Sequence, residues 1–274
     1  LPYFEPELEK GWINVVGLYN KNEKEITFED QRRWEDLDVF SNAGLAANWS
    51  VTAVSEMAHD CTTLGSCKRS TGSSFAAPIV TGTAALLKHK YSWMDGSLIR
   101  QTILSTATDI GAEGVDKVFG WGLLNIDKAL KGPALFDKRL ALGDHVITDI
   151  SENGVWSFEN DISGDAGLKK KGIGTLELKG ILTYTGETWV QNGTLKIKGK
   201  SYNSGFRSSG GASTLSLHKN VLVKSVINEG SNVEIAGEGV TISEDYKATP
   251  DSKTTFDLGA NLYVKGKTEL DGSK

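Results

Sequence analysis

The residues best suited to chemistry fall in one string, Gly72-Ser73-Ser74-Phe75-Ala76-Ala77-Pro78, which runs on into Ile79-Val80-Thr81-Gly82-Thr83-Ala84-Ala85-Leu86-Leu87. The second part predicts a helix with an apolar face at Ile79, Thr83, Leu86 and Leu87. Its small residues Ala76, Ala77, Gly82, Ala84 and Ala85 would let neighbouring backbones approach closely. Pro78 has no N–H to donate and is tolerated only near a helix start, which puts Ser74 at the N-terminus. Unpaired N–H groups and the positive end of the helix dipole favour negative charge there. An oxyanion formed by attack of the Ser74 hydroxyl on a carbonyl would sit in that field. The plain alternative is that Ser73 or Ser74 only caps the helix.

A serine nucleophile needs a histidine base and a carboxylate to orient it. The chain has four histidines. His59-Asp60 lies about 15 residues before Ser74, but a neighbouring Asp does not easily reach the far side of the same imidazole, so this pair reads as a solvated loop. His89 falls near the exposed end of the Ser74 helix. His145 lies in the stretch between domains, and His218, next to Leu217 in a strand, points outward. None has a metal partner at useful spacing, no Asp-rich loop suits calcium, and no cofactor is expected. Cys61 and Cys67 could close a small disulfide loop in an oxidising compartment or stay reduced; both readings stand, and two cysteines at this spacing do not make a zinc site.

The 274 residues suffice for one large domain or two modest ones. A net charge of −5 with both signs mixed argues against a nucleic-acid partner. No apolar run reaches the length of a membrane helix. The chain opens Leu1-Pro2-Tyr3 without a signal peptide or an initiator Met, which reads as a processed piece of a longer protein. Glycine is abundant at 31 and proline scarce at 5, a mixture suited to turn-rich β structure.

Gly11-Trp12-Ile13-Asn14-Val15-Val16-Gly17-Leu18 predicts a buried parallel strand, residues 20–38 an exposed charged loop, Phe40-Ser41-Asn42-Ala43-Gly44 a turn, and Trp49 to Val54 a second strand. Asp95-Gly96-Ser97 caps a helix with apolar positions Leu98, Ile99, Ile103 and Ala107. Lys131-Gly132-Pro133 is a helix stop and a domain boundary.

The Gly72 to Gly82 string resembles the nucleophile segment of subtilisin-like serine proteases, Gly-Thr-Ser-Met-Ala-x-Pro-x-Val-x-Gly, with Ser73 for the usual Thr and Phe75 for the usual Met. The esterase pattern Gly-x-Ser-x-Gly is not met, because Ala76 replaces the second Gly. Val15-Val16-Gly17-Leu18, Phe40 to Gly44, Ser50 to Ser55 and the closing Phe119-Gly120-Trp121-Gly122-Leu123-Leu124-Asn125 extend the resemblance over roughly residues 10–131. It implies an α/β domain with a parallel sheet, Ser74 as nucleophile and its N–H as one oxyanion donor, Gly72 shaping the backbone beside it, and protein or peptide substrates. In that family the Asp, His and oxyanion Asn segments come before the region that starts at Leu1. The piece is therefore expected to be nearly inert by itself, since loss of a triad member costs a subtilisin up to about a million-fold in turnover. It is also expected to need the N-terminal part of the domain as a folding partner, because a sheet cut partway leaves edges and apolar faces unpaired.

After residue 131 the pattern changes. Trp156-Ser157-Phe158, Leu176-Glu177-Leu178, Leu195-Lys196-Ile197, Leu215-Ser216-Leu217, Val233-Glu234-Ile235 and Phe256-Asp257-Leu258 recur at steps of about 20 residues. Each unit is too small to bury its own apolar face, and stacking solves that, so an all-β right-handed β-solenoid is expected, against a β-sandwich with a chance period. Thr183-Tyr184-Thr185-Gly186-Glu187-Thr188-Trp189-Val190-Gln191-Asn192-Gly193-Thr194-Leu195 is similar to the repeat of bacterial autotransporter passengers. The two resemblances together imply a subtilase autotransporter of a Gram-negative bacterium. The expected division is 1–131 peptidase portion, 132–152 transition and 153–274 solenoid. The protein would be secreted or held at the cell surface through an outer-membrane barrel further along. The competing readings are a non-enzymatic surface solenoid, adhesin or scaffold, with a vestigial peptidase part, and an acyl transferase using the same serine.

Overall fold

The computed structural model describes residues 2–20, 37–59 and 68–272. They form two compact units, one of residues 1–90 and 99–130, the other of residues 91–98 and 131–274.

In the first unit β1 (Asn14–Asn20) lies between β2 (Leu37–Val39) and β3 (Ser50–Val54). The pair β1 and β3 is parallel, from Asn14 opposite Ser50 to Leu18 opposite Val54. Val16, Leu18, Val51 and Ala53 are buried, as expected of parallel strands covered on both faces. β2 meets only the end of β1, antiparallel, with Leu18 opposite Val39. A hairpin follows, β4 (Glu56–His59) against β5 (Lys68–Thr71), and leads into α1 (Ser73–Lys90). Then come α2 (Gly96–Ser105), whose residues 96–98 fall in the other unit, and the single-turn α3 (Ile126–Ala129). Asp95 caps α2 by accepting from the Leu98 N–H at 2.8 Å, as its sequence predicts. Ala107, expected on that helix, lies beyond its end. Asn125 caps α3 in the same way. Leu18, Ile110, Phe119 and Leu123 make a core cluster. Gly122 has φ +105° where the chain runs against the Thr108 carbonyl, a place only glycine can occupy without strain.

The other unit is a β-solenoid of about six turns whose described residues form three larger parallel sheets and a short parallel pair of Leu135–Phe136 with Ser163–Gly164. One sheet runs from Val155–Phe158 through Thr175–Leu178, Gly193–Ile197, Ser213–His218 and Asn232–Ala236 to Lys253–Phe256. The register stacks Phe158, Leu178, Ile197, Leu217 and Ile235 into one inward ladder, all at 0% exposure. Five of the six repeat segments expected from the sequence hold this register. The sixth is shifted: Val233 pairs with Thr254 and Ile235 with Phe256, so Thr254-Thr255-Phe256 continues the backbone pairing, with Phe256 54% exposed and Leu258 fully exposed. A second sheet starts at His145–Asp149 and ends at Thr268–Leu270, and a third joins Leu222–Val223, Val240–Ile242 and Leu262–Val264. Burying each Leu, Ile or Val of these ladders contributes roughly 1.5–3 kcal/mol, more than one short strand could gain alone. The stretch 132–152 carries strand Leu135–Phe136, a turn of helix at Lys138–Ala141 and strand His145–Asp149, the last pairing with Gly167–Lys171.

Among the polar side chains buried in the coil are Lys170 and Asn228. Lys170 is fully buried, and its ammonium donates to the carbonyls of Lys171, Gly172 and Asn192 at 2.6, 2.8 and 3.1 Å. Asn228, also fully buried, donates to the Lys253 carbonyl and accepts from Ser231. Each satisfies turn groups that would otherwise be stranded away from water.

Candidate active site

The hairpin β4–β5 carries the chain back so that Gly72 follows directly on β5 and Ser73 opens α1. Ser74 is the second residue of this 18-residue helix, and its side chain is exposed. The first-turn N–H groups have no acceptor within the helix. Pro78 stands not at the helix start but in its second turn. It is one turn after Ser74, so the Ser74 carbonyl lacks the usual donor four residues on.

Four hydrogen bonds hold the segment. The Gly72 N–H donates to the Ser55 carbonyl at 3.0 Å, and the Phe75 N–H to the Gly72 carbonyl at 2.9 Å. Ser55, fully buried, donates both its N–H and its hydroxyl to the Leu18 carbonyl, each at 2.8 Å. Gly17 lies beneath: a Cβ there would stand 2.9 Å from the Ser73 Cα and 3.1 Å from the Ser55 Cβ. Gly72, expected to shape this backbone, has room, for its Cβ would meet only the Phe75 ring at 3.8 Å. The demand for glycine falls instead on Gly17, inside strand β1.

The buried stripe of α1 is Ala76, Val80, Thr83 and Leu87, at helical spacing. Periodicity in the sequence places Ile79 and Leu86 on it and predicts close packing around Ala77, Gly82 and Ala85. Instead Ala77, Thr81, Gly82 and Ala85 are exposed and Leu86 is 49% exposed, while a Cβ on Gly82 would meet nothing within 4 Å. Ile79 lines an apolar hollow of about 150 Å³ with Ala53, Val54, Leu123, Leu124 and Ile126. The second face of α1 is open.

Among the described residues no histidine hydrogen-bonds Ser74. His89 is in the last turn of α1, some 22 Å along the axis at 1.5 Å per residue. His145 and His218 are residues of the solenoid strands. Burial lowers the pKa of both imidazoles, followed by Lys169 for His145 and by Lys198 and Lys196 for His218. The backbone of His59 closes β4 opposite Lys68, and Asp60, Cys61 and Cys67 lie outside the described residues. No group of three or more metal-ligating side chains occurs among the described residues.

Residues 2–122 match the model of the Subtilase family. The Neisserial autotransporter lipoprotein NalP of Neisseria meningitidis serogroup B is 38% identical over 99% of the chain. Serotype-specific antigen 1 of Mannheimia haemolytica is 31% identical over 86% of it. An extracellular serine protease of Serratia marcescens is 30% identical over 73%. The chain spans 23–25% of the length of these three relatives. The alignment with the Neisseria protein runs through helix α1 and the solenoid alike, and with the family match over 2–122 it places the chain in the subtilase family, as a subtilisin-like segment joined to an autotransporter β-solenoid.

Proposed function

We propose that the protein is a secreted or surface-held serine endopeptidase of a Gram-negative bacterium, exported as an autotransporter, and that Ser74 is its nucleophile. The observation that carries this reading is an exposed Ser74 at the second position of α1, within Gly72-Ser73-Ser74-Phe75-Ala76-Ala77-Pro78. The Ser74 hydroxyl attacks the scissile carbonyl, and the Ser74 N–H with the helix dipole stabilises the tetrahedral oxyanion. The base and its orienting carboxylate are supplied from outside the described residues. The substrates are proteins or peptides, as the extracellular protease relative suggests.

The open face of α1, with the hollow beside Ile79, supports a second part of the reading: the remaining peptidase domain packs there. The first unit, residues 1–90 and 99–130, supports residues 1–131 as the peptidase portion except for 91–98, which group with the solenoid unit. The solenoid serves as the exported stalk, and a barrel elsewhere in the protein holds it at the outer membrane.

The test is active-site labelling of the full-length secreted protein with a fluorophosphonate, followed by peptide mapping. The expected result is one label per chain on Ser74, absent from Ser74→Ala together with proteolysis. A well-folded full-length protein without labelling or proteolysis would instead support a non-enzymatic surface solenoid.

A further inference from the structure

We propose that Ser55 is a positioning residue for the Ser74 nucleophile, acting through the doubly bonded Leu18 carbonyl and the Gly72 N–H. The proposal rests on the reading of Ser74 as nucleophile. Ser55 is the single residue between β3 and β4, and it is fully buried. Its N–H extends the parallel pairing by one bond to the Leu18 carbonyl. Its hydroxyl reaches the same carbonyl oxygen at 2.8 Å, so both acceptor sites of that oxygen are used by one residue. A residue held by two bonds at one point has little freedom to rotate, and its own carbonyl is fixed in direction.

That carbonyl is what the Gly72 N–H binds. The Gly72 carbonyl in turn binds the Phe75 N–H, so Ser73 and Ser74 lie between two bonds that trace back to Ser55. Gly17 completes the seat, since its bare Cα lets Ser73 settle against β1. Any apolar side chain of similar size could fill the space of Ser55; only a hydroxyl supplies the second bond. Attack by a serine is sensitive to displacements of about 1 Å, which can cost on the order of a hundredfold in rate.

The experiment uses the full-length protease and its Ser55→Ala, Ser55→Cys and Ser55→Thr variants. For each, kcat and KM on a peptide substrate, the rate of fluorophosphonate labelling at Ser74 and the thermal midpoint are measured. Ser55→Ala keeps the backbone bond and is expected to fold, with kcat and labelling rate lowered about ten- to a hundredfold and KM nearly unchanged. Ser55→Thr, which keeps the hydroxyl, regains most of the rate. Wild-type kcat and labelling in Ser55→Ala, or activity loss that follows only the folded fraction, overturns the proposal. Should Ser55→Ala fail to fold, Ser55→Cys, similar in shape with a weaker donor, decides in the same way. A wild-type protein that hydrolyses peptide but labels elsewhere removes Ser74 as nucleophile, an outcome distinct from any effect at Ser55.

Discussion

Gly17 in β1 and Ser73 at the start of α1 are separated by 56 positions in the chain, yet a Cβ on Gly17 would stand 2.9 Å from the Ser73 Cα. The helix carrying Ser74 is thus seated directly on the strand. Neither backbone can give way cheaply, because β1 is paired to β3 on one side and α1 packs Ala76 and Val80 inward.

Gly17→Ala is therefore expected to displace the first turn of α1 and slow fluorophosphonate labelling of Ser74 at least tenfold in the full-length protein. Gly72→Ala, whose Cβ meets only the Phe75 ring, is expected to fold with a thermal midpoint close to wild type. Labelling rates of the two variants, measured side by side, check the assignment. Equal rates would mean that the seat under Ser73 is loose.

The solenoid ladder makes a second contrast. Leu217→Ala removes a ladder side chain at 0% exposure and is expected to cost about 2–5 kcal/mol. Leu258→Ala lies outside the ladder, fully exposed, and is expected to stay within about 0.5 kcal/mol of wild type. Urea unfolding followed by circular dichroism reads both.

Arg100 is 1% exposed and binds the Glu9 carboxylate at 2.8 Å and the Trp12 carbonyl at 3.2 Å. Burial lowers its pKa and Glu9 works against that. Arg100→Ala leaves Glu9 without this cation and opens a cavity, at a cost of about 3–5 kcal/mol. Arg100→Met fills the space and is expected to cost less. Hydrogen exchange of the segment Pro6–Gly11, which carries Glu9, reports the loss locally.

Lys170 gives a pH signature. Burial lowers its ammonium from the ordinary 10.5 to about 8, with Asp149 pulling the other way. Below pH about 8 both folded and unfolded chains hold the proton, and the cost of burying the charge is present in full. Between about 8 and 10.5 the unfolded chain binds more protons than the native one, so the contribution of Lys170 to stability rises with pH. Lys170→Met abolishes that rise but strands the Lys171, Gly172 and Asn192 carbonyls, at about 1–3 kcal/mol. The difference in unfolding free energy between wild type and Lys170→Met should grow from pH 8 to 10.5, and a flat difference would show that the ammonium keeps its ordinary pKa.

What the sequence determined by itself was local or periodic. The Gly72 to Pro78 string put Ser74 in the first turn of a helix because start signals are local, although Pro78 itself falls one turn later than its preference predicts. The repeat segments from Trp156 to Ile235 revealed their inward ladder, because a strand alternates its faces with a period of two. Three features came only from the tertiary structure. The seat of Ser73 on Gly17 depends on pairing between residues far apart in sequence, and a glycine in a strand carries no side chain to advertise it. The choice of Ala76, Val80, Thr83 and Leu87 as the buried face of α1 could not be read from a helix apolar nearly all round, where period alone does not choose the side that meets the sheet. The shift of the last repeat at Phe256 was fixed by hydrogen bonds to Asn232 through Ile235, since Phe256-Asp257-Leu258 and Thr254-Thr255-Phe256 fit the alternation equally well and only backbone pairing selects the register.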